Sequence, residues 1–254
     1  MKAITVIENL IFPPRCANCG ELLHISLSEK RIDPLCPTCR LHYENEKDVE
    51  CDRCGLTMRF CRCMPKMMQS AQCTALLKLI SYRSQDNSYP IRQFVYSIKH
   101  TKEGRSFDFI AEQFKELLIP EMRACELLPS DCVITYLPRS HKNKAKDGFD
   151  QSYMLAKALS KITGIEFLPC FNRRFITKEQ KGLNRFERRL NMRSAYALRD
   201  IEEEIKDKTV ILVDDIVTTG SSMASCARLL YSRGAFAVMG VCVGLTRKEK
   251  NSKK

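Results

Sequence analysis

Eight of the fourteen cysteines stand in four close pairs between residues 16 and 63, a spacing that tightly restricts what this segment can fold into. The runs CANCG, CPTC, CDRCG and CRC pair Cys16 with Cys19, Cys36 with Cys39, Cys51 with Cys54, and Cys61 with Cys63. A turn that presents two nearby thiolates is half of a tetrahedral zinc site, and two such halves complete a four-thiolate centre. Gly20 and Gly55 each follow a second cysteine directly and allow the tight turn. Eight thiols therefore predict two structural Zn2+ sites, paired in chain order or interleaved. Few large apolar residues accompany them, so the metal would supply the folding energy of this segment, and the chain after residue 75 should fold without it. His24 and His42 are not needed as ligands.

Disulfides are the competing use of these thiols, and compartment decides between the two. The N-terminal run MKAITVIENLIFPPRC is broken by Glu8 and has no small-residue cleavage site, so a cytoplasmic protein is expected. No stretch has the roughly 18–20 apolar residues of a membrane span. The remaining cysteines, Cys73, Cys125, Cys132, Cys170, Cys226 and Cys242, are unpaired in spacing and read as core thiols.

After a basic connector, MPKMMQS, the pattern becomes α/β. A strand is expected near 75–82, helices at 91–99 and 107–118, a strand at 132–138, a helix over 150–162, and a last strand in AFAVMGVCVGL. Alternating strands and helices imply a mainly parallel sheet flanked by helices, with a ligand at the carboxyl ends of the strands. The net charge of +12 suits an anionic partner, either nucleic acid or a phosphorylated small molecule, and equally a solubilising surface.

The stretch TVILVDDIVTTGSSM narrows the choice. Residues 210–213 are apolar and mostly β-branched, as suits a buried parallel strand. Met223, Ala227 and Leu230 continue as a helix, and Gly234 suits its end. Between them stand two adjacent carboxylates, Asp214 and Asp215, then Thr218, Thr219, Gly220, Ser221 and Ser222. A strand end feeding a helix N-terminus offers free amides and a favourable dipole to a phosphate. Carboxylates just before such a cradle want donors, and sugar hydroxyls lie at the right distance. A phosphate beside a diol is a ribose 5-phosphate.

At these residues the sequence resembles the type I phosphoribosyltransferases. The resemblance implies that Asp214 and Asp215 hold the ribose hydroxyls of phosphoribosyl pyrophosphate (PRPP) and carry the catalytic role. It also implies that residues 218–222 hold the 5′-phosphate, and that Mg2+ accompanies the pyrophosphate. Displacement at the anomeric carbon builds positive charge that nearby carboxylates offset. A response-regulator-like aspartate pair is the alternative, but it leaves the TTGSS cradle unexplained.

Cysteine pairs ahead of such a core resemble the ComF family, linked to competence for DNA uptake, over nearly the whole chain. The expected architecture is a type I phosphoribosyltransferase core at 75–247, a zinc-ribbon module at 1–66 and a basic tail at 248–254. PRSHKNKAKDGFDQ is similar to the family's basic segment, with Asp147 where arginine is usual and Lys142, Lys144 and Lys146 upstream. A carboxylate there repels pyrophosphate unless it faces away. Arg174, Gln180, Leu183, Arg188 and Asn191 fall at the spacing of a second basic element.

Lys99, Arg139, Arg174, Gln180, Arg185 and Arg188 are the candidate pyrophosphate or lid residues. The basic strip at 173–193 also suits a track for single-stranded DNA or an exposed helix face. Two functions follow. One is transfer of a phosphoribosyl group to an unknown acceptor with release of pyrophosphate. The other is a DNA-binding or scaffold protein with little catalysis. The implied partners are PRPP, single-stranded DNA and competence proteins such as a DNA-uptake helicase, with no membrane.

Overall fold

A computed structural model of the chain describes residues 13–23, 32–83, 88–100, 104–174 and 195–246. Its strands are β1 (Ala75–Tyr82), β2 (Cys132–Tyr136), β3 (Glu166–Phe167), β4 (Phe171–Arg173), β5 (Tyr196–Leu198), β6 (Thr209–Val217) and β7 (Ala237–Thr246). Five of them form one parallel sheet in the order β1-β7-β6-β2-β3, while β4 and β5 make a small antiparallel pair. The central strands are apolar along most of their length because both faces are covered.

The helices are α1 (Pro37–Lys47), α2 (Lys66–Gln69), α3 (Arg92–His100), α4 (Gly104–Ala124), α5 (His141–Asp147), α6 (Gln151–Thr163), α7 (Glu202–Ile205) and α8 (Ser221–Tyr231). On one face of the sheet, Leu77, Ile134, Ile211 and Val241 pack with Phe94 of α3, Phe114 of α4, Leu155 of α6 and Tyr43 of α1. On the other, Leu76, Val133, Leu212 and Cys242 pack with Met68 of α2, Met223 of α8 and the β4–β5 residues Phe171 and Tyr196.

The expected elements recur within a few residues of their predicted bounds, with two extensions. Helix α4 runs through Pro120, because Leu118 and Met122 stay buried on either side of it and keep the apolar stripe in the core. Strand β6 runs through the two aspartates to Val217 instead of stopping before them. Its pairing with β2 ends at Tyr136 opposite Val213, whereas pairing with β7 continues to Val217 opposite Leu245. The aspartates therefore stand beyond the end of β2, with no strand paired to them on that side among the described residues. The chain leaves β2 toward β3 and leaves β6 toward β7, in opposite directions. The gap between β2 and β6 is thus the switch point at which a parallel sheet binds ligands.

Candidate functional site

Asp214 and Asp215 sit at this switch point. Ser152, in the first turn of α6, donates its hydroxyl to Asp214 Oδ1 at 3.0 Å, and the Asp215 amide donates to the same oxygen at 2.9 Å. Asp215 Oδ1 accepts from the amide of Ile216 at 2.6 Å. Burial, then the neighbouring Asp215 charge, pushes the Asp214 carboxyl well above the usual carboxylate range, and the bonds from Asp215 and Ser152 only partly offset this. Such a pair is relieved by donors or a cation arriving from the side that β2 leaves unpaired.

The following loop carries Thr218 and Thr219 at the surface and Gly220 buried beneath them. Gly220 is the N-cap of α8 with φ 71°, a left-handed conformation that only glycine adopts without strain. A Cβ there would also lie 2.8 Å from Met68 Cγ and 3.1 Å from Pro65 Cβ. Thr219 Oγ1 and Ser221 Oγ are 3.0 Å apart. The Tyr196 hydroxyl accepts from Arg173 Nη1 at 2.8 Å. The five cradle residues thus form one turn at a helix N-terminus, directly beyond the acids.

The basic candidates divide. Arg139 follows β2, and its Nη1 donates to Asp147 Oδ2 at 2.6 Å. His100 Nδ1 lies 3.0 Å from the other Asp147 oxygen. Burial opposes charge on Asp147, but the Arg139 and His100 bonds outweigh it and hold the carboxyl below its usual range. The acid that stands in place of the family's arginine is therefore turned onto two basic side chains. Lys99 sits at the end of α3 with Nζ 5.1 Å from the Tyr82 ring centroid, and its carbonyl accepts from Gln151, the residue before Ser152. Arg174 is exposed just beyond β4. Gln180, Leu183, Arg185, Arg188 and Asn191 lie outside the described residues, as do His24 and the tail at 248–254.

The cysteines gather in chain order: Cys16, Cys19, Cys36 and Cys39 in one group, Cys51, Cys54, Cys61 and Cys63 in the other, each with ligand atoms within 4.8 Å of one another. Zinc–sulfur bonds of about 2.3 Å in a tetrahedron put sulfurs about 3.8 Å apart. The Cys19–Cys36 and Cys54–Cys61 sulfurs are 3.7 and 3.6 Å apart, so both groups fit the ion. Gly20 and Gly55 have φ of 79° and 71°, as the knuckle turns require. In the first group the second half-site is the start of helix α1, with Cys36 as its N-cap, and not another knuckle. Of the unpaired cysteines, Cys73, Cys132, Cys170, Cys226 and Cys242 are buried as expected, while Cys125 is exposed beyond α4.

Sequence reasoning missed several residues that support these sites. Asn18, inside the first knuckle, donates to Cys39 Sγ at 3.3 Å and accepts from the Phe94 amide at 3.0 Å, tying the cluster to α3. Lys78 points out of β1 into the second cluster, where its buried Nζ donates to the carbonyls of Cys61 and Cys63 at 2.7 and 3.0 Å. Its signal was a lone lysine in an apolar strand. Ser152 gave no signal, since one serine in a helix start is ordinary.

A family model described as a phosphoribosyl transferase domain matches residues 150–254. The chain is 26% identical over 216 residues to the DNA utilization protein YhgH of Escherichia coli strain K12, covering 82% of this chain and 89% of that protein. It is 24% identical over 223 residues to competence protein F of Haemophilus influenzae, covering 87% and 92% respectively. Among solved structures it is similar to a purine phosphoribosyltransferase from Pyrococcus horikoshii, with 18% identity, a TM-score of 0.32, and coverage of 53% of this chain and 72% of that one.

Proposed function

The chain belongs to the ComF family, and from that premise we propose that it binds PRPP at the β6–α8 loop and transfers the phosphoribosyl group to an acceptor, in the service of DNA uptake. One observation carries this: adjacent carboxylates at a sheet switch point lead directly into a glycine-turned, hydroxyl-rich helix start. The β6–α8 turn holds the 5′-phosphate on amides and the hydroxyls of Thr218, Thr219, Ser221 and Ser222. Asp214 and Asp215 accept the ribose hydroxyls, with Ser152 fixing one Asp214 oxygen and leaving the other for ligand. As the bond to pyrophosphate lengthens, the aspartates offset the positive charge that grows on the sugar. Magnesium, carried in with PRPP, supplies counter-charge to the pyrophosphate. Arg139, Lys99 and Arg174 are the described candidates for that group, with Gln180, Arg185 and Arg188 as the lid.

We assign residues 75–247 to this function, 1–66 to a zinc-stabilised module and 248–254 to a basic tail. The names of the relatives, a DNA utilization protein and a competence protein, support the link to DNA. The DNA-binding alternative depends on the strip at 173–193, of which only Arg173 and Arg174 are described; what supports the PRPP reading is the described pair of acids beside a hydroxyl-rich helix start. Calorimetry with magnesium and PRPP tests it. Wild type should bind, and the double change Asp214→Asn with Asp215→Asn should weaken binding at least 10-fold, the loss of one or two charge-assisted hydrogen bonds at roughly 1.5–3 kcal/mol each. Equal affinity of the two proteins would refute the proposal.

A further inference from the structure

The phosphate loop itself brings hydroxyls and amides but no cation. A cleft of about 570 Å³ opens beside it, and its far wall belongs to the second cysteine cluster. Cys51, Asp52, Arg53 and Met58 of that cluster, Pro65, Lys66 and Met67 of the connector, and Thr218 and Thr219 of the loop all line it. The two sides are in contact. Pro65 and Met68 press on Gly220, and Arg228 of α8 donates to Ser70 Oγ at 3.1 Å, so the connector between cluster and sheet is seated on the loop and its helix. Lys78 anchors the cluster from below through Cys61 and Cys63. Arg53 Nη1 donates to the Met64 carbonyl at 2.8 Å, which holds the guanidinium side chain at the rim. Among the described lining residues the cations are Arg53 and Lys66 and the carboxylate is Asp52; the four thiolates on a zinc ion add negative charge behind them, so these two side chains are what the wall offers an anion.

We infer that the second zinc cluster is a wall of the ligand site, and that Arg53 and Lys66 bind the 5′-phosphate end of a phosphorylated pentose held by Thr218 and Thr219. This rests on the ribose-phosphate reading above. A side-chain cation adds a charge-assisted hydrogen bond to a phosphate already held by amides and the helix dipole, and one raised on a metal-fixed knuckle loses little side-chain entropy when the ligand arrives. A zinc ion held by Cys51, Cys54, Cys61 and Cys63 would serve here by fixing the backbone that carries Arg53.

The test is calorimetry on zinc-loaded protein with magnesium–PRPP and, separately, ribose 5-phosphate, using Lys66→Glu and Arg53→Gln. Zinc content and thermal melting establish that each variant is folded. Lys66 is exposed, so its variant keeps the test decisive if loss of the Arg53–Met64 bond disturbs the knuckle. We expect each change to weaken both ligands by a similar factor, about 10-fold for one charge-assisted bond. Wild-type affinity for both ligands in Lys66→Glu would overturn the inference. So would a loss confined to PRPP, which would place these cations at the pyrophosphate instead. Failure of wild type to bind either ligand would refute the ribose-phosphate reading itself, a result distinct from either of these.

Discussion

Ser152 and Asp214 are 62 residues apart in sequence, yet their side chains meet at 3.0 Å across the gap between β2 and β6. Ser152 is only 1% exposed, so the bond is made inside the protein and orients one aspartate before any ligand arrives. A donor to a carboxylate favours its charged form, so removing the hydroxyl should raise the Asp214 pKa further. Ser152→Ala should weaken PRPP binding roughly 3- to 10-fold, the worth of one hydrogen bond. The acid limb of the affinity–pH profile should move to higher pH, and Ser152→Thr should restore both. An unmoved pH profile in the alanine variant would make Ser152 a packing residue only.

Asp214 sets function against stability. Its folded pKa lies above the unfolded value, so its contribution to stability is complete below the ordinary carboxylate range and is lost as pH rises through the raised pKa. Above the ordinary carboxylate range this carboxyl is a cost to the fold, through burial first and Asp215 second. Asp214→Asn should therefore raise the melting temperature of the ligand-free protein at neutral pH while weakening PRPP binding. Melting measured at neutral pH and again near pH 4 checks the sign, because the gain should shrink toward the lower pH. A variant less stable than wild type at neutral pH would contradict it.

Much of the sheet was legible because buried parallel strands are written as apolar runs with little else to be. The Asp-Asp and Thr-Thr-Gly elements were legible for a related reason: acids and a glycine at a strand end have few uses apart from ligand. The supporting residues were not. Ser152 and Asn18 act through contacts between distant segments, and a single hydroxyl or amide carries no local pattern. Lys78 was visible only as an anomaly in β1, since its partners are backbone carbonyls that any sequence provides. The connector at 64–70 read as a spacer, but Met68 is buried beneath Gly220, and that contact appears only once α8 is in place. The meaning of Asp147 likewise depends on His100 and Arg139 reaching it from two other segments.

Asp147 occupies the Arg139 guanidinium, so if Arg139 meets the pyrophosphate as proposed, that group must compete for it. The Asp147 side chain is 6% exposed, and its pairing with Arg139 and His100 is little screened by solvent. Asp147→Asn keeps the shape but removes the charge. It should tighten magnesium–PRPP binding by roughly threefold, on the order of the net worth of one partly exposed pair. It should also remove the stability that wild type loses as pH falls through the depressed Asp147 pKa, so the variant's melting curve should be flatter at acid pH. Weaker PRPP binding in this variant would mean instead that Asp147 aims Arg139 at the ligand.

The last prediction concerns the metal. Two zinc ions per chain are expected by elemental analysis of protein purified without chelator, one for each cysteine group. Sequence alone suggested that stripping them would unfold only the first segment. The structure joins that segment to the main core: Tyr43 of α1 is fully buried, with its ring 5.9 Å from Phe94 and 5.2 Å from Phe109, and Cys36, Cys39 and Leu35 share the same cluster. Without zinc the start of α1 loses its anchor, and Tyr43 can no longer be held against α3 and α4. Removing a large buried aromatic contact costs about 3–5 kcal/mol, enough to affect a domain whose whole stability is roughly 5–15 kcal/mol. Chelation should therefore lower the melting temperature of the sheet itself, in one cooperative transition, and Cys39→Ser should do the same. Less than one zinc per chain would refute the metal assignment. A separate low-temperature transition that leaves the main melt unchanged would show that the cysteine-rich segment and the sheet fold independently.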